Sequence, residues 1–238
     1  SSLGRSIQED WQKVQGRFED IPFAINSEES ISLISEAINQ KKDNEKIKDL
    51  SRNIVHLIYG KKPNVTLIKS IANCFPLHPL VAFLLGPISR QRFGQNERSI
   101  FTFLNSSEPN GFLHFLKNSK KDSLYTLDML FDYLQTNLGP SILVSSNGHA
   151  WSECSEAIRR AESLDNTESI KITKTIALID MFGKNLSLFA SKEILESAFN
   201  KRKGELKKIF ENLENKKIII YRKFKKAYSL YSGSDINI

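Results

Sequence analysis

The sequence predicts a mainly α protein that ends in a small β-hairpin, and three observations carry that prediction. Apolar residues recur at helical spacing through most of the chain up to Lys216. Strand-like runs are confined to a short stretch around 18–23 and to the residues after Lys217. Gly, Pro, Ser and Asn stand at the joints, where helices start and stop.

An opening segment, 7–14, reads as a helix that Gly16 breaks. In FEDIPF, Phe18, Ile21 and Phe23 alternate with charged residues around Pro22, which predicts a short strand near an edge. In SEESISLISEAI, Ser27 suits an N-cap, Glu28 and Glu29 suit a first turn, and Ile31, Ile34, Ala37 and Ile38 share a face. The charged KKDNEK links it to a second helix through Leu50, Ile54, Leu57 and Ile58, stopped by Gly60 with Pro63 beyond. From Val65 to Asn118 the period stays helical, and Pro76, Pro79, Pro87, Gly94 and Pro109 predict short helices with fixed corners. Ser123 is expected to cap a helix over LYTLDMLFDYLQTNL, closed by Gly139 and Pro140. Asn147-Gly148 marks a turn before an amphipathic helix at 151–161. Three more helices follow, at 167–182 (ended by Gly183), 191–199 (capped by Ser191) and 204–216 (Leu206, Ile209, Phe210 and Leu213 inward). IIIYRKF and KAYSLYSG then read as two strands. Three helices followed by a basic two-stranded hairpin is the layout of a winged helix-turn-helix.

With 238 residues, 40% of them hydrophobic and 26% charged, the chain can bury a sizeable core. Its longest apolar run, around Leu80 to Leu85, is far shorter than the roughly 18 residues that span a bilayer, so no membrane partner is expected. Cys74 and Cys154 form no CxxC or disulfide framework, which suits a reducing, cytoplasmic compartment. The start SSLGRS lacks a methionine, and the chain is expected to be cut from something longer. The net charge of +7 is local: the last 38 residues hold eleven Lys or Arg against four acids, so the first 200 sum to zero. Such asymmetry points either to a polyanion partner or to a solvated basic face.

His56, His78, His114 and His149 are scattered, with no HExxH pair. Cys74 and His78 lack the two further ligands of a structural zinc site, so no metal is expected. GxSxG and the phosphate-binding GxxxxGK[ST] are both absent. Two arginines stand out. In FGQNERSIFTFL, residues 93–104, Asn96, Glu97 and Arg98 precede the apolar Ile100, Phe101, Phe103 and Leu104. A helix start favours anions, and an arginine there adds a planar, bidentate, permanently charged fork that suits a phosphate. Alternatively Arg98 pairs with Glu97, Glu108 or a backbone carbonyl while the apolar face packs. In GRFEDIPF, Arg17 stands between a helix and a strand, either reaching across a subunit edge or pairing with Glu19 and Asp20.

GRFEDIPF resembles the passage that closes the α/β core of AAA-type ATPases, and QNERSIFTFL resembles one that opens a helix of their lid. The longer stretches FPLHPLVAFLLGPISRQRFGQNERSIFTFLNSSEPNGF, LYTLDMLFDYLQTNLG and IIIYRKFKKAYSLYSGSDINI resemble, in order, large bacterial P-loop ATPases, some of them antiviral defence proteins. The resemblance implies the end of an ATPase core at 1–26, a helical AAA-type lid at 27–163 and a winged-helix domain at 164–238. It also implies that Arg98 senses the γ-phosphate, that Arg17 is an arginine finger offered to a neighbour in a homo-oligomer, and that Arg90 and Arg92 lie near nucleotide with Asn96 and Glu97. The chain departs from the family in lacking the Walker A lysine and Walker B acid. ATP and Mg are therefore expected to be held by an upstream core, and the chain alone is expected not to hydrolyse ATP. Lys207, Lys208, Arg222, Lys223, Lys225 and Lys226 are expected to meet DNA, RNA or a partner protein. A second class stays open: a DNA-binding winged-helix regulator with a helical oligomerisation domain.

Overall fold

Side-chain caps start five of the described helices. In the computed structural model, which describes residues 27–38, 44–60, 64–91 and 100–232, the chain is mainly helical with a small antiparallel sheet at its C-terminal end. The expected helix at 7–14 and strand at 18–23, with the core segment 1–26, lie outside the described residues. The first helices are α1 (Ser27–Ile38), α2 (Glu45–Tyr59), α3 (Val65–Asn73) and α4 (Pro79–Ser89). The Asn44 side chain accepts from the Ile47 amide at 3.4 Å, Asn64 from Leu67 at 3.0 Å, and His78 Nδ1 from Leu80 at 3.2 Å. Each satisfies an amide left over at a helix start. Gly60 ends α2 as expected, at φ 79°.

Helix α4 is buried from Pro79 through Ile88, as befits a helix that is apolar all round, and α1, α2 and α3 pack on it. Pro87 lies inside α4 rather than at a corner. It stands in the last turn, where the missing N–H costs only the bond to Phe83. Beyond α4 come α5 (Ile100–Leu104), α6 (Phe112–Asn118) and α7 (Leu127–Leu143). Two corrections concern α7. It starts at Leu127 with Thr126 as its N-cap position, not at Ser123, because Tyr125 is held in a parallel bridge to Leu77. His78 donates its amide to the Tyr125 carbonyl at 2.9 Å, and Tyr125 donates its own to Pro76 at 2.8 Å. The helix also passes through Pro140 to Leu143 instead of closing there.

Helix α8 (Gly148–Glu162) follows a turn that only glycine permits, since a Cβ on Gly148 would stand 2.0 Å from the Leu143 carbonyl oxygen. Trp151 on α8 is fully buried and stacks on Phe131 of α7 at 4.8 Å. Helix α9 (Thr167–Phe182), capped by Asn166, is apolar on several sides at once. It packs on α4, α7 and α8, and also on the last strand of the chain. Lys174 of α9 bonds Asp132 of α7 at 2.6 Å.

After α9 the chain turns at Gly183, where a Cβ would stand 2.4 Å from the Leu188 carbonyl oxygen, and passes through a short 3-10 turn, Lys184–Leu186. Then come α10 (Lys192–Ala198), α11 (Lys207–Asn215), β1 (Ile219–Arg222) and β2 (Ala227–Leu230). Ser191 caps α10 by accepting from Ile194 at 3.2 Å, as expected. The strands pair antiparallel from Ile219–Leu230 to Arg222–Ala227. Both are shorter than expected, because Lys223 to Lys226 form the connecting turn, with Lys226 at φ 50°. On its other edge β2 makes one bridge, Tyr228 to Ala190. Among the described residues one hydrophobic core runs from Ile31 to Leu230. No described helix is long and apolar enough to cross a membrane.

Candidate functional site

The expected nucleotide-facing arginines divide. Arg17, Arg92, Asn96, Glu97 and Arg98 lie outside the described residues. Arg90 is exposed at the C-terminal end of α4, its amide bonded to the Gly86 carbonyl at 3.3 Å. The helix that follows QNERS is present as α5, and its apolar side does pack. Phe103 lies 5.4 Å from Tyr125 and 5.1 Å from Tyr133, ring centroid to centroid, and Leu104 is buried. Phe112 and Phe115 complete the cluster around Tyr125, whose hydroxyl donates to the Asn110 carbonyl at 2.5 Å. Helix α5 is thus anchored by edge-to-face aromatic contacts.

The expected cations at the C-terminal end are brought onto two neighbouring elements. Lys207 and Lys208 open α11, both exposed, and Lys207 reaches Glu211 at 3.7 Å. Arg222 ends β1, half-buried, and Lys223, Lys225 and Lys226 form the exposed turn. Lys208, Lys223 and Lys226 make no ion pair with any described residue. Under this turn the hairpin is firmly seated. Tyr228 lies 4.6 Å from Phe210 of α11 and 5.1 Å from Tyr221, and Lys192 sits 5.1 Å above the Tyr221 ring. Asp180 of α9 accepts from Ser229 Oγ at 3.1 Å and from the Leu230 amide at 3.3 Å. Burial pushes its carboxyl above the usual range; those two hydrogen bonds and the charges of Lys225 and Arg222 work the other way.

Sequence reasoning missed four residues here and one behind them. Phe224 is 81% exposed at the tip of the turn, with Lys225 Nζ 5.7 Å from its ring centroid. Phe189 is 37% exposed. Two clefts, of about 250 and 360 Å³, share Leu188, Phe189 and Lys225 in their walls; the first adds Lys184 and the second adds Lys192 and Lys226. Behind the hairpin, Arg160 of α8 donates to the carbonyls of Lys217 at 2.9 Å and Tyr231 at 3.4 Å, just outside the two strands. Charge counting places the excess after residue 200 and so passes over Lys184 and Lys192, and no local signal separates an exposed phenylalanine from a core one.

Among the described residues no cluster of His, Cys, Asp or Glu could hold a metal ion. Cys74 and Cys154 are free, buried thiols, both pushed up to about 12 by burial, and neither is poised as a nucleophile. His78, pulled down to about 4 by burial, serves as the N-cap of α4. Compared with protein-family models, curated proteins and solved structures, the chain finds no match in any of the three.

Proposed function

We propose that the chain is the nucleotide-responsive C-terminal part of an AAA-type P-loop ATPase, a helical lid joined to a winged-helix module. The observation that carries this reading is the double membership of α9. One side of that helix packs on α7 and α8 of the helical body, and it also packs on β2 and α11 of the C-terminal unit. A movement of the body is then transmitted to the hairpin through one packed core rather than through a linker. The order of helix, single bridge at Ala190, two short helices and hairpin supports the winged-helix reading. In this mechanism Arg98 meets the γ-phosphate of ATP·Mg held by an upstream core. Arg17 reaches a neighbouring subunit, and forming or breaking the Arg98 contact swings the lid.

The test is Arg98→Ala in the longest native protein that contains this chain. ATP turnover is expected to fall at least about a hundredfold, in line with arginines that stabilise the transferring phosphate. Unchanged turnover together with unchanged nucleotide affinity removes the assignment.

The exposed lysines favour a second reading, in which the C-terminal unit of a DNA-binding regulator contacts nucleic acid. It predicts binding by the 238-residue chain that weakens steeply with salt.

A further inference from the structure

We infer that the hairpin tip and the clefts beside it bind single-stranded nucleic acid, with unpaired bases stacked on Phe224 and Phe189. The inference deepens the second reading, that the basic C-terminal unit contacts nucleic acid, and rests on it. Sequence-tolerant single-strand sites combine cations that follow the backbone with aromatic faces for the bases. Both parts are found here. Phe224 is 81% exposed among Lys223, Lys225 and Lys226, and Phe189 stands where two clefts adjoin, walled by Lys184, Lys192 and Lys225. An exposed phenylalanine alone is ordinary; here the ring stands beside Lys225 Nζ and between exposed lysines, so the ligand that fits it offers a flat apolar face close to negative charge.

Duplex reading by α11 fits less well. That helix has nine residues, and its exposed side places Glu211 one turn after Lys207 and Lys208. The carboxylate neutralises Lys207 and repels a phosphate backbone. Nearer the tip the acids are differently placed. Asp180 lines the first cleft with its carboxylate turned to Ser229 and Leu230, and Glu193 lines the second. A lipid surface would call for a broader apolar face than two separate rings.

The experiment measures anisotropy of labelled oligo-dT, oligo-rU and a mixed-sequence duplex of equal length, titrated with the 238-residue chain at several salt concentrations. Single strands are expected to bind more tightly than the duplex, and the two strands show whether DNA or RNA is preferred. Phe224→Ala should weaken single-strand binding about tenfold and leave the duplex within about twofold. Phe224→Trp should keep the affinity and report stacking by fluorescence quenching. Lys223→Gln and Lys226→Gln should each lower the salt slope by about 0.7. Because Phe224 is exposed, its variants fold. If the duplex binds as well as the single strands and Phe224→Ala changes neither, nucleic-acid contact stands and the inference falls. If no nucleic acid binds, both fall.

Discussion

His78 shows how much one side chain can decide. It ends the bridge to Tyr125 with its backbone, caps α4 with Nδ1, and is buried to 3% exposure. Because Nδ1 accepts the Leu80 amide, the ring proton sits on Nε2, and that atom has no described protein partner. A second proton would place a charge in the core and remove the cap, and burial lowers the ring to about 4 from an ordinary 6.5. The unfolded chain therefore binds the proton more readily than the folded one. The neutral ring's stabilising contribution is complete above about pH 6.5 and is lost as pH falls toward 4. Roughly 2 kcal/mol should be gone by pH 5. Urea midpoints at pH 7 and pH 5 measure this, with His78→Asn as the comparison, since asparagine keeps an acceptor at the cap without titrating there. A variant with the same pH slope as the parent would place the loss elsewhere.

Two four-residue strands do not form a stable hairpin alone, so this element depends on what grips it. Asp180 holds β2 from α9, and Arg160 holds the carbonyls that enter and leave the hairpin from α8. Arg160→Ala is expected to lower stability by about 1 kcal/mol. It should also speed amide exchange in β1 and β2 while leaving α2 and α3 unchanged, and uniform exchange would show that the grip is not local. Sequence legibility divides along the same line. The stops at Gly60 and Gly183 and the Ser191 cap are local chemistry, and they read correctly. The start of α7 did not, because Tyr125 is drawn out of the helix by Leu77, a partner far along the chain. Pro140 misled because a proline near a helix end removes one bond and leaves the last turn intact. At the site Lys207, Lys208, Lys223, Lys225 and Lys226 were legible as charge, whereas Lys184 and Lys192 were not. Phe224 was not, since in YRKFKK it has the composition of a strand residue and stands in a turn. The grip of Arg160 spans 57 and 71 residues, beyond any spacing rule.

At the scale of the whole molecule, the resemblance divides the chain at 163 into lid and winged helix, yet the core crosses that point without a break. Ile172, Ile176 and Ile179 of α9 are buried in the same cluster as Leu130 and Leu134 of α7 and Trp151 of α8. Domains that move independently meet across small, polar contacts, whereas this contact is apolar and includes the Lys174–Asp132 ion pair. The intact chain is therefore expected to unfold in urea in one transition, with near-UV and far-UV circular dichroism superimposed. A piece ending at residue 163 would leave bare the faces of α7 and α8 that α9 covers. It should bind a hydrophobic dye strongly and lose its near-UV signal while keeping helical content. The proposed relay depends on this outcome. A lever transmits a nucleotide-driven swing to the hairpin only if it is stiff, and stiffness here comes from α9 being common to both ends. Should the truncated piece instead unfold cooperatively near the midpoint of the intact chain, the two parts would be separable bodies, and motion of one would not oblige the other to follow.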